Sequence, residues 1–155
     1  MRANATVVTN SGANSGIPYQ FYNYTLTEEN VYVYNRYSQL YKIISRANTL
    51  FAHLGDVSYA TPSARDTYEA EARFLRALSY YWLVTEWGDV PLVLKVLEST
   101  EEVRANNYRR PKAEIYQAIF DDLKYVTESP LLDVQPASAC GKVSKACLLY
   151  TSDAA

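Results

Sequence analysis

The sequence predicts an all-α fold of antiparallel helix hairpins that follows an irregular N-terminal segment. Apolar residues recur at steps of three and four in several stretches of the 155-residue chain, which is typical of helices with one buried face. Thr61-Pro62 and Gly88 bracket one such stretch with typical start and stop signals. Hydrophobic residues make up 48% and charged residues 21% of the chain, so a globular core rather than disorder is expected.

Residues 1–27 form the predicted irregular segment. They are rich in Asn, Ser, Thr and Gly and then become aromatic at "IPYQFYNYTLT". Clusters of these polar residues favour loops, and no helical period organises the aromatic side chains.

The first helix is predicted to begin after Thr27, whose hydroxyl suits an N-cap, and to end at Gly55 in a left-handed conformation. The negative charges of Glu28 and Glu29 would stabilise the helix at the positive end of its dipole. The apolar face comprises Val33, Tyr37, Leu40, Tyr41, Ile44, Ala47, Phe51 and Leu54.

The second helix is predicted to run from Pro62 to Trp87. One apolar stripe comprises Ala70, Phe74, Ala77, Tyr81 and Val84, and an adjacent stripe comprises Leu75, Leu78 and Trp82. Because the two stripes are wider together than one partner helix needs, we expect this helix to pack between two neighbours.

The remaining chain is predicted to hold a second hairpin. Residues 89–96 are expected to be extended because Val90 precedes a proline, and residues 98–110 read as a polar loop. Pro111 starts a third helix, and a fourth is expected to begin near residue 143 or 144. The apolar face of the third helix comprises Tyr116, Ile119, Phe120, Leu123 and Val126.

Within each predicted hairpin, the two helix starts are separated by about the length of a tetratricopeptide unit. Helix starts at Thr27 and Thr61 are 34 residues apart, and those at Pro111 and Ser144 are 33 apart. The usual residue pattern of that repeat is absent, so the spacing alone does not identify it.

Charge and hydropathy exclude several classes of protein. A formal net charge of -2 gives no electrostatic drive for binding nucleic acid or an anionic membrane surface. No apolar run reaches the 18 residues of a membrane span, and the N-terminus lacks the apolar region of a signal peptide.

Metal, cofactor and disulfide sites are not expected. On one helix Cys140 and Cys147 would lie two turns apart, roughly 10 Å, which is too far for a disulfide. His53 is the only histidine, so neither a metal site nor a Ser-His-Asp triad can be assembled from recognisable ligands. Structural use of this histidine near a helix end is the simpler interpretation.

No catalytic pair is predicted among the carboxylates, and the chain is not expected to be an enzyme. Residues one or two apart on a helix do not face each other, so the sequence neighbours are interpreted as solvated. These neighbours are Glu69 and Glu71, Glu101 and Glu102, and Asp121 and Asp122. Arg73 and Arg76 are expected to lie along the helix surface with their guanidinium groups bonded to nearby loops. The alternative is that one of them ties the helix to the turn at Asp89.

The candidate ligand site is an aromatic cluster: Tyr19, Phe21, Tyr22 and Tyr24. The chain has 15 tyrosines and only 4 phenylalanines, and a tyrosine ring offers an apolar face with a polar tip. Such faces stack on sugar rings while nearby amides and hydroxyls bind the rim of the sugar. The alternative is that these residues only cover the exposed end of the first helix.

Four motifs carry a family resemblance, in this order: "YSQLYKIISRANTLFAHL", "EAEARFLRALSYYWLVTEWGDVPLV", "RRPKAEIYQAIFDDLKYVTES" and "GKVSKA". Over residues 30–146 the chain resembles the N-terminal part of the SusD/RagB family, surface glycan-binding lipoproteins of Bacteroidetes. The matching residues are Tyr41, Ile43, Ile44, Ala47 and Asn48, then Ala70–Ala77 with Gly88–Leu92, then Glu114–Tyr116 with Asp122 and Leu123, then Gly141–Ala146.

The resemblance implies a truncated SusD-like fold of tetratricopeptide-like helix pairs, with irregular excursions that carry the ligand site. It implies oligosaccharide capture at the surface of the outer membrane, together with a SusC-like TonB-dependent transporter, and no catalytic residue. Members are longer and start with a lipoprotein signal, so Met1 is not expected to be the natural start. The helical domain is then residues 28–146, and "CLLYTSDAA" at 147–155 resembles translated adapter sequence and is expected to be non-native.

A second interpretation stays open at this point. A cytoplasmic helical-repeat module that binds a peptide in a groove would show the same amphipathic helices. An upstream signal peptide and a neighbouring transporter gene would favour the surface protein.

Overall fold

A computed structural model describes residues 19–22, 24–131 and 142–145. The chain divides into two compact units, Met1–Gln39 and Leu40–Ala155. The elements in chain order are α1 (Tyr19–Tyr22), α2 (Val31–His53), α3 (Pro62–Trp87), β1 (Val90–Pro91), α4 (Thr100–Asn106), β2 (Arg109–Arg110) and α5 (Lys112–Glu128).

The predicted all-α class is confirmed. In the described residues the strands are limited to one antiparallel pair of two residues each, with Val90 opposite Arg110 and Pro91 opposite Arg109. One helical turn, α1, lies within the segment that was predicted to be irregular. Only the first positions of the predicted fourth helix belong to the described residues. Cys140, Cys147 and residues 147–155 all lie outside them.

Helix α2 begins three residues later than predicted, because Asn30 and not Thr27 caps it. The Asn30 Oδ1 atom accepts hydrogen bonds from the backbone N–H groups of Tyr32 at 3.0 Å and Val33 at 3.4 Å. Both residue types suit an N-cap, so the sequence alone could not choose between them. Residues 28–29 form a turn that leads into the helix.

The predicted left-handed stop at Gly55 is also wrong. Among the described glycines only Gly88 has a positive φ. Helix α2 ends at His53, where the backbone N–H of Asp56 donates to the carbonyl of His53 at 3.1 Å. The Asp56 carboxylate also lies 2.8 Å from His53 Nδ1, so the turn through Gly55 closes without a left-handed residue.

Both predicted ends of α3 are confirmed. Pro62 occupies the first turn, although the Thr61 hydroxyl makes no capping hydrogen bond. Gly88 ends the helix at φ 77° and ψ −122°, where its N–H donates to Val84 O at 3.0 Å. Side-chain-bearing residues rarely adopt this backbone conformation, which explains the glycine.

The core of the Leu40–Ala155 unit lies where α3 packs against α5. Ala70, Phe74, Ala77 and Val84 of the first predicted stripe are buried, together with Tyr80 and Leu83. The second predicted stripe is not buried to the same extent: Leu75 is 44% and Trp82 40% exposed.

The buried face of α5 is rotated from the prediction. It comprises Ile115, Ala118, Ile119, Asp122, Leu123 and Val126. Phe120 is half-exposed and Tyr116 is only partly buried. The sequence pattern favoured Phe120 because of its hydropathy, and it could not predict that Asp122 would be buried instead.

The segment predicted as a polar loop contains helix α4. Ser99 Oγ accepts from the Glu102 N–H at 3.1 Å, and Glu102 Oε2 accepts from the Glu98 N–H at 2.8 Å. This arrangement is close to a capping box, whose Ser-x-x-Glu signature stands in the sequence at residues 99–102. Asp89 Oδ1 accepts from the Lys112 N–H at 3.1 Å and so caps α5 in turn.

Candidate functional site

Tyr24 is the more exposed of the two predicted ligand-binding aromatics whose side chains the structure describes. Its side chain is 95% exposed, and its backbone has φ 59°, in the left-handed region. A tyrosine in this region is uncommon and costs free energy unless its surroundings hold it there. The structure therefore projects an aromatic ring into solvent from a specified backbone position.

Hydrogen bonds fix the chain on both sides of Tyr24. The Thr25 N–H donates to the Gln20 carbonyl at 3.1 Å, which closes the turn after α1. The Gln20 Oε1 atom accepts from Asn30 Nδ2 at 2.7 Å, and Asn30 is buried at the start of α2. One asparagine thus joins α1, the Tyr24 turn and α2.

Of the other three predicted site residues, the structure describes only the side chain of Phe21. Phe21 is partly buried, so it contributes at most an edge to a ligand surface. The side chains of Tyr19 and Tyr22 lie outside the described part of the chain, and their place in a site stays a prediction.

The same unit exposes two further tyrosines that the sequence interpretation missed. Tyr32 and Tyr34 on α2 are both at least half-exposed. Both residues lie outside the apolar stripe of that helix, and this position in the sequence could have indicated that they are exposed. Tyrosines outside a buried stripe are free to contact a ligand.

A buried ionic cluster, which we call the Arg76–Asp122 cluster, joins α3 to α5. Arg76 donates from Nε to Asp122 Oδ2 and from Nη2 to Asp122 Oδ1, both at 2.7 Å. Arg73 Nη1 donates to Asp122 Oδ1 at 2.9 Å. Asp122 was predicted to be solvated and is 2% exposed, so that prediction is wrong.

Arg73 holds a second carboxylate, that of Glu69. Its Nη2 and Nε atoms donate to Glu69 Oε1 at 2.8 and 3.0 Å. Burial opposes the charge on Arg73, but the bonds and charges of Glu69 and Asp122 outweigh it and raise the pKa of the guanidinium above its ordinary value. Burial, followed by the negative charge of Glu69, likewise raises the pKa of Tyr125, whose ring lies under Arg73.

The cluster also positions the extended chain that follows β1. Arg76 Nη1 donates to Asn48 Oδ1 at 2.7 Å and to the Leu94 carbonyl at 3.2 Å. Asn48 Nδ2 donates to the carbonyls of Val93 at 3.0 Å and Lys95 at 3.3 Å. Arg76 is buried rather than exposed along the helix surface, and it does not contact Asp89. Its bond to the Leu94 carbonyl agrees with the predicted contact to a nearby loop.

Two tyrosine hydroxyls complete this attachment. Tyr80 accepts from the Val93 N–H at 2.7 Å and donates to the Val93 carbonyl at 2.9 Å. Tyr41 donates to the Pro91 carbonyl at 2.7 Å. Side chains therefore satisfy backbone groups that a wider sheet would otherwise pair.

The carboxylates of the cluster are engaged by arginines and are buried, an arrangement that holds helices together. No group of three or more His, Cys, Asp or Glu residues in the described ranges is placed to hold a metal ion. Within those same ranges no helix has both the length and the hydropathy needed to cross a membrane.

Comparison with known proteins gives a consistent family assignment. The profile of the SusD-like family described as "Starch-binding associating with outer membrane" matches residues 2–134. SusD-like protein P2 of Formosa agariphila is 31% identical over 106 residues, which cover 68% of this chain and 21% of that protein. SusD-like protein P25 of the same organism is 29% identical over 130 residues, or 79% of this chain and 24% of the relative.

Solved structures share the fold. A SusD superfamily protein from Parabacteroides distasonis matches with a TM-score of 0.71 and 28% identity over 84% of this chain and 27% of its own. A laminarin-binding SusD-like protein matches with a TM-score of 0.67 and 31% identity over 73% of this chain and 24% of its own. The predicted tetratricopeptide-like helical fold is thereby confirmed, and this chain spans about a quarter of these proteins. With residues 2–134 matched by its profile, the chain belongs to the SusD-like family.

Proposed function

We propose that this chain is part of a surface glycan-binding protein that captures oligosaccharides for nutrient uptake. The observation that carries the proposal is the match of residues 2–134 to a family described as starch-binding and associated with the outer membrane. The family description names starch, an α-glucan, and a solved structure at 31% identity is named for laminarin, a β-glucan, so a glucan is the proposed ligand class.

The proposed contact site is the aromatic cluster around Tyr24, with Tyr19, Phe21 and Tyr22 as further members. An exposed ring on a strained but hydrogen-bonded turn suits stacking on a sugar, since the backbone that carries the ring is already held in place before binding. Tyr32 and Tyr34 are the additional candidates in this unit.

We assign the protein a role beside a SusC-like TonB-dependent transporter, at the cell surface, anchored through a lipidated cysteine of a longer chain. The role is binding without catalysis, which the arginine-engaged state of Glu69 and Asp122 supports. Co-purification with a neighbouring transporter from the native membrane tests the partnership.

Calorimetric titration with malto- and laminari-oligosaccharides tests the site. Tyr24→Ala is expected to weaken binding about threefold to tenfold, the range of one aromatic stacking contact. Tyr24→Phe keeps the ring and should bind nearly as well as the parent. Tyr108→Ala removes a 48% exposed tyrosine of the other unit and serves as the control.

Unchanged affinity in Tyr24→Ala, with binding intact in the parent, would remove Tyr24 from the site. Absence of binding to both glycan series by a folded full-length protein would contradict the proposed ligand class.

A further inference from the structure

An apolar groove lies between α2 and α3 in the Leu40–Ala155 unit. Its lining residues are Ile43, Arg46, Ala47, Leu50, Ala72 and Leu75. Apart from one arginine these side chains are apolar, and no residue of the Arg76–Asp122 cluster is among them.

Both helices carry exposed apolar side chains at heptad spacing, and Ile43, Leu50 and Leu75 among them line the groove. Tyr68, Leu75 and Trp82 of α3 are seven residues apart, and each is at least 40% exposed. Ile43 and Leu50 of α2 are also seven apart, and both are partly exposed. A seven-residue repeat keeps side chains on one side of a helix, and this repeat is the one that packs against another helix.

The floor of the groove is made of small side chains. Ala47 and Ala72 lie between the larger residues of the two stripes. Small residues at a helix contact allow the axes to approach to about 8 Å, the short end of the usual range. The groove therefore has the shape of a seat for one helix rather than for a flat sheet.

The α2 edge of the groove is basic. Lys42 and Arg46 are exposed, four residues apart, and neither makes an ion pair within residues 19–22, 24–131 and 142–145. Like charges at this spacing repel each other weakly, so an acidic partner would relieve them. The occupant should therefore carry a carboxylate beside its apolar stripe.

We propose that the groove receives one amphipathic helix with heptad-spaced aliphatic residues and an acidic residue opposite Arg46. We assign this helix to the part of a SusD-like polypeptide outside the region matched here. That region is only 21% and 24% of the two Formosa agariphila relatives, so most of their chain is available to supply it. A second copy of this chain suits the groove less well, because two concave surfaces do not fill each other.

Helical peptides test the chemistry of the occupant on the 155-residue chain. Two fluorescently labelled peptides share leucines at heptad positions and differ only in flanking Glu or Lys. The Glu peptide is expected to bind at least tenfold more tightly, and Arg46→Glu should reverse that preference. Leu75→Asp should abolish binding, whereas Phe120→Asp, at a half-exposed apolar position on α5, should leave it unchanged.

Equal binding of both peptides, or no effect of Leu75→Asp, would overturn the proposal. If the chain forms a dimer that Leu75→Asp dissociates in sedimentation experiments, a second copy is the occupant and the proposed helix is wrong.

A chimaera tests the source of the helix. The matched 106 residues of SusD-like protein P2 are replaced by those of this chain, with Leu75→Cys as the single cysteine. Maleimide should modify this cysteine at least tenfold more slowly in the folded chimaera than in urea. Equally fast labelling in both, with helical circular dichroism retained, would show an open groove and contradict the assignment. If the chimaera does not fold, the peptide experiment decides. Neither experiment depends on glycan binding.

Discussion

Two carboxylates that are adjacent in sequence, Asp121 and Asp122, have different environments. Asp121 accepts one exposed hydrogen bond from Gln117, whereas Asp122 is buried and is held by two arginines. A charge removed from water is stable only when its partners remain in place. The Arg76–Asp122 cluster therefore works as a unit, and loss of one member leaves the other charges uncompensated.

Asp122→Ala is expected to lower the free energy of unfolding by about 3–5 kcal/mol, the usual cost of breaking a buried ion pair. Asp121→Ala is the matched control and should change it by less than about 0.5 kcal/mol. Urea unfolding followed by circular dichroism measures both. Similar effects of the two substitutions would contradict the role assigned to the cluster.

At the scale of elements, single-residue signals predicted both ends of α3 but not the end of α2, where Gly55 is not left-handed. Pro62 and Gly88 define α3 as expected, since proline and glycine each act through their own backbone. The start of α2 was misplaced because Thr27 and Asn30 are both good caps. Helix α4 was missed although residues 99–102 carry a capping signature, because its polar surface offers no apolar period.

The attachment of α4 is expected to depend on pH through Glu102. Its hydrogen bond from Lys95, and next that from the Glu98 N–H, lower the pKa of Glu102 below its ordinary value of 4.5. A lowered pKa means that the carboxylate stabilises the fold above that ordinary value and that this contribution is lost as the pH falls through the folded-state pKa. The amide chemical shifts of Glu98 and Glu102 should therefore move together below pH 4.5.

A neighbouring glutamate provides the control for this prediction. Glu102→Gln should remove the coordinated titration, whereas Glu101→Gln, one residue away, should preserve it. A titration that persists in Glu102→Gln would assign the effect to another group.

At the scale of the molecule, periodicity predicted the three long helices α2, α3 and α5 but not the partners of every face. The second stripe of α3 was expected to meet a neighbouring helix, yet Leu75 and Trp82 are substantially exposed. Contacts between residues far apart in sequence, such as Arg76 with Asp122, leave no local period and could not be predicted. The exposure of Tyr32 and Tyr34, in contrast, was open to prediction, because both lie off the apolar stripe of α2.

The exposed stripes on α2 and α3 are expected to make the 155-residue chain bind apolar dyes and associate at high concentration. Leu50→Lys with Leu75→Lys should reduce the fluorescence of bound anilinonaphthalene sulfonate by more than half, because charged side chains interrupt both stripes. Ser45→Lys with Gln117→Lys adds the same charge at exposed polar positions and should leave the fluorescence unchanged. Equal loss in both double variants would show that net charge controls dye binding. A parent chain that binds no dye would show that these stripes are covered in solution.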